Sequence, residues 1–164
     1  MDFHSFLSDL IATTAGGVLI TFLLFWAKER WFPVPRITGK WEFEMQTTGT
    51  TFRPYEGMLL RYAAMIWSEG NRIRGTAEKV YERSANGERT YVGKDRARAT
   101  VSGLIEKKYF SPDVVVLHLV EQGRDRESTH LFSLTIVSGE SMTGKFDSLI
   151  ADQTGESVWK RGQV

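Results

Sequence analysis

The sequence predicts an all-β fold, a small eight-stranded antiparallel barrel preceded by one transmembrane helix. Three observations predict it. Residues 6–27 form a continuous apolar run, short segments from Lys40 onward alternate apolar and polar residues, and no stretch of helical period separates those segments. The 164 residues leave room for one domain and an anchor. Composition divides them into an anchor and juxtamembrane segment at 1–32, a linker at 33–38 and a β domain at 39–164.

The run from Phe6 to Ala27 is 22 residues long, with Asp9 as its one charged residue. About 20 apolar residues are needed to cross ~30 Å of hydrocarbon as a helix. Asp9 lies within a turn of the start, where it reaches the headgroups. Trp26, Trp31 and Phe32 fall where an interfacial aromatic belt is expected, Lys28 and Arg30 stop the span, and Pro33 and Pro35 end any helix. A secretory signal peptide would need a basic start and a small-residue cleavage site. Here Asp2 and Asp9 are acidic and the run ends in Phe25-Trp26. An amphipathic core helix would show a polar stripe, which is missing. Lys28, Arg30, Arg36 and Lys40 follow the span and only His4 precedes it, so the β domain is expected in the cytoplasm. Ser8, Ala12 and Gly16 recur at every fourth residue, and Thr13, Gly17 and Thr21 repeat this one position along. Small residues at that spacing allow close helix approach in lipid, so Ser8, Ala12, Gly16 and Gly17 are candidates for helix association.

Beyond the prolines, Trp41, Phe43 and Met45 alternate with Lys40, Glu42 and Glu44, a period-two strand. Further strands are expected at 57–68, 72–83, 96–108, 114–121, 129–137, 141–147 and 156–161. Turn signals separate them: Glu69-Gly70-Asn71, Ser84-Ala85-Asn86-Gly87 with its Asn-Gly hairpin pair, Ser111-Pro112-Asp113, Gln122-Gly123-Arg124-Asp125, Gly139 and Gly155. Eight antiparallel strands in sequence close a small up-and-down barrel, which removes exposed edges. A two-sheet sandwich shares the same pattern.

Cysteine is absent, which excludes a disulfide framework and thiolate metal sites. His4, His118 and His130 are scattered without metal-ligand spacing. The net charge of +1 argues against a general binder of DNA or RNA polymers. No P-loop, dinucleotide fingerprint, nucleophile elbow or zinc pattern occurs, so no catalytic residue is assigned and the domain reads as a binder rather than an enzyme. His118 and His130 read as ordinary core or rim histidines.

A binder needs a cavity and convergent polar groups. On the third strand, Ile73, Gly75, Ala77, Lys79 and Tyr81 share one face; on the fourth, Ala97, Ala99, Val101, Gly103 and Ile105 do. Turned inward, these small residues either line open space, with Lys79 and Tyr81 near one mouth, or make room for Trp41, Trp67 and Phe132 in a filled barrel. Residues 72–98 hold eight basic groups against four acidic ones, with Tyr81 and Tyr91 among them. Arginine holds phosphate bidentately and tyrosine stacks on bases. The candidate ligand contacts are therefore Arg74, Tyr81, Arg83, Tyr91, Arg96 and Arg98, for a small anionic nucleotide. Anionic lipid headgroups and a plain solvated surface are the competing readings.

Gly39-Lys40-Trp41 opens the first strand and Trp159-Lys160-Arg161 closes the last. In lipocalin-like barrels a G-x-W plugs the floor and a basic residue of the last strand packs across its ring, a cation–π contact. With the span at 6–27, the proline linker, Ile37-Thr38-Gly39-Lys40-Trp41-Glu42, Gly144-Lys145-Phe146-Asp147 and Val158-Trp159-Lys160-Arg161, the chain resembles the membrane effectors of bacterial CBASS anti-phage defence that carry a minimal lipocalin-like barrel. The resemblance implies an inner-membrane protein whose barrel binds a cyclic oligonucleotide from a partner nucleotide cyclase. Binding there drives self-association of barrel and helix, disrupts the bilayer and kills the cell, with no other cofactor. In the related Panoptes systems the ligand instead restrains the effector. That family typically has two spans, and this sequence shows one. The alternative is a non-toxic membrane-tethered barrel that binds a protein or lipid partner.

Overall fold

The computed structural model describes residues 3–123 and 126–162, with side chains from Leu7 onward. It separates into two units, Met1–Pro33 and Val34–Val164.

The first unit is helix α1, Phe3–Trp31. At ~1.5 Å per residue its 29 residues exceed the ~30 Å of a hydrocarbon core. Residues Leu7–Trp31 are long and apolar enough to cross a membrane, and their large apolar side chains are exposed all round. Lys28 and Arg30 occupy the last turn, where cations favour the helix dipole. A side chain built on Gly16 or Gly17 meets nothing within 4 Å, so the small-residue face is open.

The second unit contains β1 (Gly39–Gly49), β2 (Leu59–Glu69), β3 (Arg72–Ser84), β4 (Gly87–Thr90), β5 (Arg98–Glu106), β6 (Val114–Gln122), β7 (Glu127–Ser138), β8 (Ser141–Ser148) and β9 (Gln153–Arg161). All pairings are antiparallel. The ring runs β1-β2-β3-β5-β6-β7-β8-β9 and closes by β9 on β1, so eight strands form a barrel and the sandwich is excluded. Among the described residues the ninth strand, β4, pairs only with β3 and extends as an arm. The expected strand at 96–108 begins two residues later, at Arg98, because residues 91–97 return from this arm. The Asn86-Gly87 signal does turn a hairpin: Ser84 pairs with Gly87, whose φ of +115° suits glycine. Of the expected turn at 122–125, Arg124 and Asp125 lie outside the described residues.

Alternation fills the barrel. Trp41, Phe43, Met45 and Thr47 point in from β1, Tyr62, Ala64 and Ile66 from β2, Val115, Leu117 and Leu119 from β6, and Phe132 and Leu134 from β7. Phe43 stacks on Trp159 at 3.8 Å and on Tyr62 at 4.8 Å, while Phe132 meets Phe43 and Trp159 edge-on. Gly75, Ala77 and Ala99 are packed rather than bordering open space: a Cβ on Gly75 would sit 2.5 Å from the Met65 carbonyl. Trp67, expected inside, is on the outer wall and 41% exposed, because it alternates with the inward Ile66.

One end, the floor, carries the incoming chain at Val34, the turn at Gly70, residues 107–113 and the turn at Gly139. There the Trp41 indole donates to the Ile37 carbonyl at 2.7 Å, and the Arg161 guanidinium lies 5.1 Å from the Trp41 ring. Arg161 also donates to the carbonyls of Arg36, Thr38 and Gly139. The expected G-x-W plug under a basic residue of the last strand is thus present, and that residue is Arg161. Gly39 has φ +146° and any Cβ there would lie 2.7 Å from Arg161 Nη1, so both backbone and space require glycine. The opposite end, the mouth, is bordered by residues 50–58, the β3–β4 arm, Gly123 and the strained turn at Ala151 and Asp152, whose φ values are +52° and +45°.

Candidate functional site

The packed core stops short of the mouth, where inward positions become polar. On β6 the sequence Val115, Leu117, Leu119 continues to Glu121, and on β3 Ile73, Gly75, Ala77 continues to Lys79. Antiparallel neighbours carry them to the same height, and Lys79 Nζ meets Glu121 Oε1 at 2.8 Å. The Tyr62 hydroxyl donates to Glu121 Oε2 at 2.6 Å, and Thr47 donates to Gln153 at 3.1 Å. Tyr62, Lys79, Glu121, Gln153 and His130 line a pit of about 140 Å³, with Arg126 and Glu82 also on its wall. Burial, then the Glu121 carboxylate, raises the Tyr62 phenol well above its ordinary value, so it stays a donor. His130 is 4% exposed, and its Nδ1 has no hydrogen-bond partner among the described residues.

Burial holds the His130 imidazole down at about 4; Glu121 opposes this and Lys79 adds to it. The unfolded chain takes that proton near the ordinary 6.5. Between those values the unfolded state binds more protons, so stability falls as pH falls. The whole window is worth about 3 kcal/mol at ~1.4 kcal/mol per pH unit. Urea melts from pH 6.5 to 5, above most carboxylate titrations, should show this slope in the wild type and a flatter one in His130→Gln.

Outside the pit, a cleft of about 750 Å³ runs between the arm and β6, and Lys79 and Glu121 border both spaces. Lys79, Arg89, Lys94, Arg96 and Tyr91 line this cleft, with Asp95 and Glu121 as the acids on its wall. Two cations lie near the Tyr91 ring, Lys79 Nζ at 5.8 Å and the Arg89 guanidinium at 5.9 Å, and its hydroxyl donates to Glu82 at 3.0 Å. Arg96 is held by the Tyr91 carbonyl at 3.3 Å and Glu78 at 3.2 Å.

Of the six ligand contacts expected from sequence, the structure brings Tyr91 and Arg96 together in the cleft. Arg98 is beside it but on the outer face of β5, 84% exposed at its side chain. Arg74 is at the floor end, paired with Trp67 and Ser102, too far along β3 to reach the mouth. Tyr81 and Arg83 are turned outward. Register explains this: Tyr62 pairs with Lys79 but Arg61 with Tyr81, leaving Val80 as a β-bulge. The bulge inverts the faces, so Tyr81 packs under the outer Arg61 at 5.2 Å while Glu82 turns toward the pit. Sequence reasoning missed Glu121, His130, Tyr62 and Gln153 as a cluster. The available signal was an acid on β6 and a base on β3 continuing apolar, inward-facing sets.

A second groove, of about 710 Å³, crosses the outer wall of β9, β1 and β2. Lys40, Arg61, Arg96 and Lys160 there are interleaved with Glu42 and Glu44, and Arg61 is paired with Glu44.

No protein-family model and no curated protein matches the chain. Among solved structures it is similar to a de novo designed fluorescence-activating β-barrel, at TM-score 0.51 and 14% identity over 76% of this chain and 93% of that one. It is also similar to a redesigned β-barrel, at TM-score 0.50 and 9% identity over 77% and 92%. At these identities the likeness concerns the fold alone, a closed antiparallel barrel.

Proposed function

We infer that the chain is a membrane-anchored effector whose barrel, in the cytoplasm of a bacterial cell, binds a cyclic oligonucleotide at its mouth. The observation that carries this reading is the adjoining cleft and pit, with cations near Tyr91 outside and below them a histidine whose Nδ1 has no partner among the described residues. Arg89, Lys94 and Arg96 suit phosphates, the Tyr91 face suits a stacked base, and the pit offers polar groups to a base edge. Ligand at the mouth controls barrel association, and barrels held together concentrate the Ser8, Ala12, Gly16 and Gly17 faces of their helices. Such tethering raises apparent affinity ~10²–10⁴-fold, so a weak helix contact suffices to perturb the inner membrane. The ligand comes from a nucleotide cyclase, whose gene is expected beside this one.

Calorimetric titration of the full chain in detergent with cyclic di- and trinucleotides tests the site. Tyr91→Ala and Arg96→Ala should each weaken binding about tenfold to a hundredfold, as expected for a lost stacking or charged hydrogen-bond partner of ~1.5–3 kcal/mol. Arg74→Ala, at the floor, should leave it unchanged. Absence of any nucleotide binding, with no toxicity on expression, would favour a tethered module for a protein or lipid partner.

A further inference from the structure

Phe110 is fully exposed, at 102% of its reference area, at the tip of the loop between β5 and β6. The base of this loop is ordered by Asp113, which accepts from the Lys108 backbone N–H at 2.8 Å and the Lys107 ammonium at 2.9 Å. Tyr109, beside Phe110, is 44% exposed. The loop belongs to the floor. Register places Trp67 beside Arg74 and Arg72 beside Leu104 on the outer wall that rises from the same rim. Trp67 and Leu104 are exposed apolar groups, and Arg72, Arg74 and Lys108 are exposed cations that outnumber Glu69 and Glu106 there.

We propose that this aromatic and basic rim docks on an anionic membrane surface, with Phe110 entering the headgroup boundary and Arg72, Arg74 and Lys108 pairing with lipid phosphates. Two arguments favour lipid as the occupant. Aromatic rings flanked by basic residues are the chemistry of a membrane interface, where each cation near anionic lipid is attracted and the ring finds a partly apolar layer. The chain also enters the barrel at the floor. Residues 32–36 between α1 and the packed Ile37 span at most about 18 Å when fully extended, so with α1 in a bilayer a weak docking contact is favoured by proximity. The proposal is independent of the nucleotide reading.

The absence of cysteine allows a clean test. Full-length Phe110→Cys, labelled with the fluorophore NBD, is placed in nanodiscs holding one chain each. In phosphatidylglycerol discs the emission should shift to the blue and be quenched by headgroup-depth nitroxides. The shift should shrink in phosphatidylcholine discs and vanish on adding Arg72→Glu, Arg74→Glu and Lys108→Glu. The same label at Leu149→Cys, on the mouth, should stay water-like. Water-like emission at position 110 in anionic discs would overturn the proposal. So would a shift that ignores lipid charge, or one that appears only when two chains share a disc, which would assign the rim to a second copy.

Discussion

Lys79→Met is expected to destabilise the barrel by about 3–5 kcal/mol, the cost of leaving a buried charge without its partner. Glu121 is 5% exposed at its side chain, and its salt bridge, 2.8 Å long, is to Lys79. With the ammonium gone, the buried carboxylate keeps the Tyr62 hydroxyl but loses the cation paired with it. For a domain of this size such a loss lowers the thermal midpoint by about 10–25 °C. The double variant Lys79→Met with Glu121→Gln should recover most of it, because the amide still accepts from Tyr62 and carries no charge. Thermal melts of wild type, both single variants and the double complete the cycle. A double variant no better than Lys79→Met would assign the loss to the packed lysine stem instead of the charge.

Trp41→Ala is expected to cost a similar amount, about 3–5 kcal/mol, through a different cause. The indole is completely buried and plugs the floor, so its removal opens a cavity between Ile37 and the core. Two polar contacts are lost with it: the Nε1 hydrogen bond to the Ile37 carbonyl and the Arg161 guanidinium on the ring. The second contributes roughly 0.5–2 kcal/mol. Trp41→Phe should cost clearly less, since the ring stays and only the N–H and some volume go. Equal losses for Ala and Phe in urea melts would place the stabilisation in the hydrogen bond alone. Neither change touches the mouth, so ligand binding below the melting transition should persist.

Much of the fold was legible because strand alternation is a local property. Once Trp41, Phe43 and Met45 are read as inward, the pleat fixes their neighbours as outward, and the burial of β1 follows that rule without exception from Lys40 to Thr48. The Asn-Gly turn was equally local, yet its return strand β4 was not anticipated. Four residues, Gly87–Thr90, with all side chains exposed, show no apolar alternation to read. The mouth was harder. Arg74 and Arg96 are close in sequence but lie at opposite ends of antiparallel strands. The bulge at Val80 reversed the faces of Tyr81 and Glu82 through a pairing with β2 that leaves no mark on β3 itself.

The sequence by itself determined the apolar span, the strands and most of their turns, and its likeness to lipocalin-like barrels pointed to a Trp41 plug under a basic residue of the last strand, which the structure identifies as Arg161. Each depends on residue spacing of a few positions or on one strong pair of side chains at the two ends of the domain. Only the tertiary structure decided that the sheet closes, that its interior is filled by Phe43, Trp159, Tyr62 and Phe132, and that the remaining space is a small polar pit at one end. It also decided which charges meet. Lys79 and Glu121 are on strands that are not neighbours in the ring, and Tyr62 comes from a third; they converge because closure points all three into one lumen. Pattern along a chain records which face a residue takes, whereas the height at which faces meet depends on register, bulges and closure, which belong to pairs of strands.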